Sequence, residues 1–223
     1  EAGIDQYSHV LHLGAGVGTV CQLLIETFGC KATGVVMVEP LLQHCVYEDE
    51  RVEYLHAKIA DLPFDPGLFT HVLIECRCIA VSDLASVFAA AKQMLASGGQ
   101  LIVNEPVLSP GSPLPKTIGR MVAETRLNEV VQQRTAMEIG IEITTAGFDM
   151  IHTRSEPEVI ERLHQKMKQI SMMLKMALRF SSFDPYSEEF PFKKKDLLKA
   201  FDEVKTALGD ETFAWHSWRA TPN

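Results

Sequence analysis

The chemistry most readable in this chain lies in one loop and one acid, Gly14-Ala15-Gly16-Val17-Gly18 and Glu39. Glycines at the end of a strand let the backbone turn tightly and approach a ligand without side-chain interference. A helix that starts there offers its first N–H groups to the ligand. The spacing is G-x-G-x-G, one residue shorter between the last two glycines than the dinucleotide fingerprint. That spacing, with the Asn104-Glu-Pro106 ending of a later strand, argues against a nicotinamide-dependent oxidoreductase. Glu39 follows the loop by roughly 20 residues, where a carboxylate accepts hydrogen bonds from ribose hydroxyls. The other role open to Glu39 is to cap a helix beginning at Pro40. Glu75 and Glu105 each end an apolar run and are candidate bases. For both, the alternative is a buried structural carboxylate paired with Arg77. Cys76 and Cys78 invite a soft-metal reading, but small core residues are the better reading of the pair. The eight histidines show no ligand spacing, and no metal is expected.

Alternating elements must position these residues. Apolar runs predict strands at Ser8–Leu13, Thr33–Val38, Val52–His56, Thr70–Glu75 and Gln100–Asn104, the last closed by Glu105-Pro106. Helical spacing is found over Thr19–Phe28, stopped by Gly29, and over Leu84–Leu95. This order predicts an α/β fold with a mostly parallel sheet and helices on both faces. Leu108–Pro115 is rich in proline and must be a loop. A helix is expected over Asn128–Ala146, a strand over Asp149–Arg154, helices over Pro157–Arg179 and Phe192–Leu208, and a final strand over Thr212–Ala220. No internal repeat or domain boundary is visible, so residues 1–223 read as one domain with a helical insertion at 156–210.

The composition narrows the function classes. The chain has 223 residues and a formal net charge of −8, which disfavours a nucleic-acid partner. No stretch reaches the roughly 20 apolar residues of a membrane span, and no signal peptide opens the sequence. Five cysteines, an odd number, suit reduced thiols and a cytoplasmic location.

Taken together, Val10-Leu-His-Leu-Gly-Ala-Gly-Val-Gly18, Val38-Glu-Pro40, Ala60-Asp-Leu-Pro-Phe64, Phe69-Thr-His-Val-Leu73 and the run from Met94 to Pro106 resemble class I S-adenosylmethionine-dependent methyltransferases. The similarity is to the ubiquinone/menaquinone-biosynthesis-type branch and covers roughly residues 8 to 106. The resemblance implies a Rossmann-like, seven-stranded sheet whose last strand is antiparallel. It implies methyl transfer from S-adenosyl-L-methionine to a small-molecule acceptor, with Glu75 and Glu105 near the reacting methyl. In that frame Gly14, Ala15, Gly16 and Gly18 cradle the methionine part, Glu39 and Pro40 face the ribose, and Asp61 with the backbone near Ile59 faces the adenine. Three positions depart from the family pattern, which has acids at the places of His12, Lys58 and Thr70. The alternative is therefore a binding or scaffold module of the same fold with weak or lost cofactor binding. The methionine-rich insertion is expected to wall an apolar acceptor pocket shared with Glu75, Arg77 or Glu105, or else to pack on the core or form a homodimer contact.

Overall fold

Strand β1 (His9–Leu13) is buried from Val10 onward, because the sheet covers both its edges and helices cover its faces. In the computed structural model it is the third strand of a seven-stranded sheet of order β3-β2-β1-β4-β5-β7-β6. The structure describes residues 2–76, 78, 81–125, 132–180, 186 and 191–223, with backbone alone at 174 and 177–180. Strands β2 (Lys31–Val36), β3 (Val52–His56), β4 (Phe69–Glu75) and β5 (Leu95–Leu108) run parallel to β1. Strand β7 (Phe213–Pro222) is antiparallel to β5 and to β6 (Phe148–Ser155). The chain crosses from β1 outward to β2 and then returns to β4, so the sheet has its topological switch point between β1 and β4.

Helix α1 (Thr19–Phe28) buries Cys21, Leu24 and Ile25 against the sheet and stops at Gly29, whose φ of 70° no β-carbon-bearing residue adopts cheaply. Helix α2 (Glu39–Leu42) is a single turn after β2, and a 3₁₀ turn (Ile59–Asp61) follows β3. Helices α3 (Leu84–Met94) and α5 (Ala136–Thr145) close the main core with Phe88, Ile139 and Ile143. The remaining helices are α4 (Lys116–Ala123), α6 (Pro157–Phe180) and α7 (Lys194–Gly209).

Three expectations shift. The fifth strand does not close at Glu105-Pro106 but runs to Leu108, because β7 keeps pairing with it through Pro106 opposite Trp215. Proline is tolerated there because β4 has already ended at Glu75, opposite Asn104, leaving β5 paired on one side. The helix expected from Asn128 begins at Ala136, where Thr135 and Glu138 form a reciprocal capping box. Residues 132–135 are not helical, and 126–131 lie outside the described residues. Helix α4 follows the proline-rich loop and was not assigned from the sequence.

Gly34 on β2 is packed beneath Tyr54 of β3 and beside Ala15 of the glycine loop. A β-carbon there would sit 2.7 Å from Tyr54 Cδ1 and 2.9 Å from Ala15 Cβ. Gly34→Ala should destabilise the chain by about 1–3 kcal/mol, as overpacking does. Thermal melting should register that as roughly 2–4 °C for each kcal/mol. An unchanged melting temperature would show that Tyr54 does not hold this contact.

Candidate functional site

The glycine loop leaves the end of β1 and wraps onto β2. Gly14 N and Ala15 N both donate to Val35 O, at 3.0 and 2.9 Å, and Gly18 N donates to Ala15 O at 2.9 Å. Gly14, Gly16 and Gly18 have φ values of 86°, 58° and 83°. All three lie in the left-handed region that favours glycine. A β-carbon on Gly16 would meet nothing within 4 Å, so this part of the loop faces open space. A β-carbon on Gly18 would instead sit 2.6 Å from Tyr54 Oη. Tyr54 donates from that hydroxyl to Gly18 O at 3.2 Å, and burial holds its phenol above the ordinary range. Cys45 Sγ donates to Gly16 O at 3.6 Å. The loop is therefore tied from below by β2, Tyr54 and Cys45, and open above.

Glu39 is exposed on the first turn of α2, just past the end of β2. Pro40 follows it and is exposed as well. The residue at the helix N-cap is Val38, which has no side-chain cap to give, so Glu39 is the first helical residue rather than the cap. Asp61 is exposed at the end of the 3₁₀ turn, while the Ile59 side chain is buried in the core beneath it. The turn thus offers backbone and Asp61, not the Ile59 side chain, to the cleft.

Glu75 ends β4 and is half-buried; burial raises its carboxyl above the usual carboxylate range. Glu105 is the correction. It is wholly buried, and its Oε1 accepts from Cys78 N at 2.9 Å. A carboxylate with no exposed surface does not reach an acceptor, so Glu105 fits the structural alternative. Arg77, the partner weighed for both acids, lies outside the described residues. The segment after β4 is held from the other side by Arg134, which donates to the carbonyls of Cys78, Val81 and Ser82.

The departures from the family pattern have visible roles. Thr70 Oγ1 accepts from His9 N at 2.9 Å, joining the start of β4 to β1. His12 is buried, with Nδ1 at 3.9 Å from Cys21 Sγ of α1. Lys58 is exposed at the N-cap of the 3₁₀ turn. Tyr54 and Arg134 were not singled out from the sequence, and Cys45 was weighed only as a thiol that could join Cys76 and Cys78. The one available signal was Tyr54 on the strand beside Gly34, a large ring next to a position without a side chain.

The methionine-rich α6 does not wall this cleft. It packs on α7 and touches β7. Met172, Met173 and Met176 are exposed and Met167 is half-buried, and the hollows beside α6 and α7 are lined by neither Glu75 nor Glu105. The reason is topological: α6 follows β6 at the sheet edge, with β7 and β5 between it and β4.

Residues 11–103 match the family described as a methyltransferase domain. The chain is 26% identical over 176 residues to sarcosine/dimethylglycine N-methyltransferase of Halorhodospira halochloris, which covers 75% of this chain and 61% of that protein. It is 30% identical over 112 residues to carboxy-S-adenosyl-L-methionine synthase of Pseudomonas entomophila (strain L48), covering 44% and 45% of the two chains. The chain thus spans less than two thirds of these curated relatives. Among solved structures it resembles Haemonchus contortus phosphoethanolamine N-methyltransferase 2 in complex with S-adenosyl-L-methionine, with a TM-score of 0.77 at 16% identity, covering 99% of this chain and 50% of that one. The resemblance to class I methyltransferases holds for the matched domain and for the Rossmann-like fold.

The five cysteines are free, but they differ in accessibility. Burial pushes the Cys21 thiol up to about 12, and burial with the neighbouring Glu105 carboxylate pushes Cys78 up strongly. Cys76 is exposed, at a φ of 53° at the end of β4. Because the thiolate is the reactive form, a raised pKa leaves little nucleophile near neutral pH. Iodoacetamide should therefore modify Cys76 in the native protein and reach Cys21 and Cys78 only in denaturant. Peptide mass mapping checks this; native labelling of Cys78 ahead of Cys76 would contradict the packing described.

Proposed function

We propose that this chain transfers a methyl group from S-adenosyl-L-methionine to a small-molecule acceptor. The observation that carries the reading is the loop at the end of β1, where three glycines at positive φ present an open surface at Gly16 and lead into α1. The residues present suit the cofactor. Gly14, Ala15, Gly16 and Gly18 hold its methionine part, with first-turn N–H groups of α1 behind them. Glu39 and Pro40 meet the ribose, and Asp61 with the backbone at Ile59 meets the adenine. When bound, the cofactor supplies a methyl group activated on a sulfonium. The chain's own contribution is to orient that methyl toward the end of β4, where Glu75 is the remaining candidate base. A base is needed only if the acceptor atom carries a proton.

Two of the relatives support the class of reaction, since their names describe N-methyltransferases of sarcosine, dimethylglycine and phosphoethanolamine. The scaffold alternative is less well supported. At Gly16 packing does not require glycine, because no atom of the fold lies within 4 Å of a β-carbon there, and only the positive φ disfavours a side chain. A cytoplasmic setting and a homodimer belong to the same reading; the five free thiols favour the first. Among the described residues no helix is long and apolar enough to cross a membrane.

Calorimetry with S-adenosylhomocysteine tests the reading. The wild-type chain should bind it, and Glu39→Ala should cost about 1.5–3 kcal/mol, the range for hydrogen bonds to a charged group. That corresponds to about 10- to 150-fold in affinity. No heat at millimolar ligand would favour the scaffold alternative, and an unchanged affinity in the variant would remove Glu39 from the ribose.

A further inference from the structure

Burial fixes how helix α6 is oriented. Ile160 and Ser171 are buried. They are 11 residues apart, about three turns, so they mark one side of the helix, the side packed on α7 and β7. Met173 is turned about 160° from Ser171, and Ile170, Met172 and Met176 fall within about 100° of Met173. All four are exposed. Two turns of the outward side, from 170 to 176, therefore present an apolar surface. Arg162 and Lys166 continue the same side toward the helix N-terminus.

The charges around this surface have one sign. From Arg162 to Phe180 the sequence holds Arg162, Lys166, Lys168, Lys175 and Arg179 and no aspartate or glutamate, in a chain whose formal net charge is −8. The acids of the helix, Glu158 and Glu161, stand in its first turns, where Glu158 faces Arg154 at 3.8 Å. Lys175 is paired with Asp202 of α7 at 2.7 Å. Arg162, Lys166 and Lys168 are exposed, and among the described residues no carboxylate forms an ion pair with them. Much of the acid excess lies at the other edge of the sheet. Residues 39–53 hold five acids and one arginine around β3. At about 4.8 Å for each strand crossed, β3 is about 24 Å from β7. That is about three Debye lengths at physiological salt, so the acidic edge does not cancel the field of α6.

From the apolar surface and its basic border we propose that α6 lies on an anionic lipid surface, with Met172, Met173 and Met176 in the headgroup layer and Arg162, Lys166 and Lys168 against the lipid phosphates. The proposal is independent of the methyl-transfer reading. A helix that lies in the interface plane buries its apolar face about 5–10 Å deep and is held there by its basic residues. Methionine suits that boundary because its unbranched thioether adapts to irregular apolar surroundings. A second copy of the chain fits this face less well. Two α6 helices laid together bring the basic residues of each near those of the other, with no acid between 162 and 180 to pair with them, and like charges oppose association. Helix α5 supplies the contrast. Met137 and Ile141 are exposed there too, but Glu138 and Glu142 stand beside them, so an anionic surface is repelled.

Co-sedimentation of the intact chain with lipid vesicles tests this without ligand or turnover. One vesicle is phosphatidylcholine alone and the other is phosphatidylcholine mixed with phosphatidylglycerol. The chain should bind the mixed vesicle about tenfold or more tightly than the neutral one. Raising the ionic strength from about 0.01 to about 1 M shortens screening from about 30 to about 3 Å and should remove most of that preference. Lys166→Gln with Lys168→Gln should weaken binding to the mixed vesicle about 25-fold, at about fivefold for each basic residue near the surface. Met172→Gln, Met173→Gln and Met176→Gln together should cost about tenfold or more, through lost apolar burial. Met137→Gln on α5 should change nothing. Melting curves should stay unchanged throughout, since every substituted side chain is exposed. No binding to either vesicle, equal binding to both, indifference to salt, or an equal loss with Met137→Gln would each overturn the proposal. So would sedimentation velocity that shows a dimer of the wild-type chain and a monomer of the triple methionine variant, since a second copy then covers the face.

Discussion

Backbone conformation in a single loop constrains the rest of this molecule. At Gly14, Gly16 and Gly18 the chain takes positive φ values, and it does so between a buried strand and the first turn of α1. Side chains at such positions cost roughly 1–2 kcal/mol each in strain alone. Gly16 and Gly18 differ in what packing adds to that strain. Gly18 has Tyr54 pressed against it, so its glycine is required by packing. Gly16 has open space above it, so packing does not require its glycine. A bare backbone facing open space at the switch point of a parallel sheet is a surface for a ligand to approach. Tyr54 and Gly34 then become intelligible: a ring laid across β2 supports the loop from below and leaves its upper side accessible.

The sheet order separates two tasks. Strands β1, β2 and β4 build the cleft, and the β6–α6–α7–β7 connection builds the opposite edge. Strand β5 joins the two, parallel to β4 on one side and antiparallel to β7 on the other. Over Leu101–Asn104 it pairs with both, and beyond the end of β4 at Glu75 its pairing with β7 continues to Leu108. Helix α6 turns Met172, Met173 and Met176 outward.

Much of the fold was legible because period and punctuation agree locally. The helix Thr19–Phe28 and the strand Val52–His56 stand where the sequence puts them, since glycines or polar residues bound each apolar run. The failures have tertiary causes. Glu105-Pro106 reads as a stop, but proline is harmless once one neighbouring strand has ended. Thr135 and Glu138 start α5 by capping each other, a local signal that the longer helical pattern hid. At the candidate site, spacing pointed to the glycines and Glu39, which stand just past the ends of β1 and β2. The role of Glu105 was not, because burial depends on what the segment after β4 lays over it. The wall expected from α6 failed because sequence length says nothing about which sheet edge a helix covers.

Amide hydrogen exchange with and without S-adenosylhomocysteine tests the central claim most directly, since it reports where the ligand sits and needs no acceptor. The account expects new protection concentrated at residues 14–18, in the first turn of α1, at 38–42 and at 59–61, with α4 and α7 unchanged. Protection confined to α4 and α7, or spread evenly over the chain with none at the glycine loop, would contradict it.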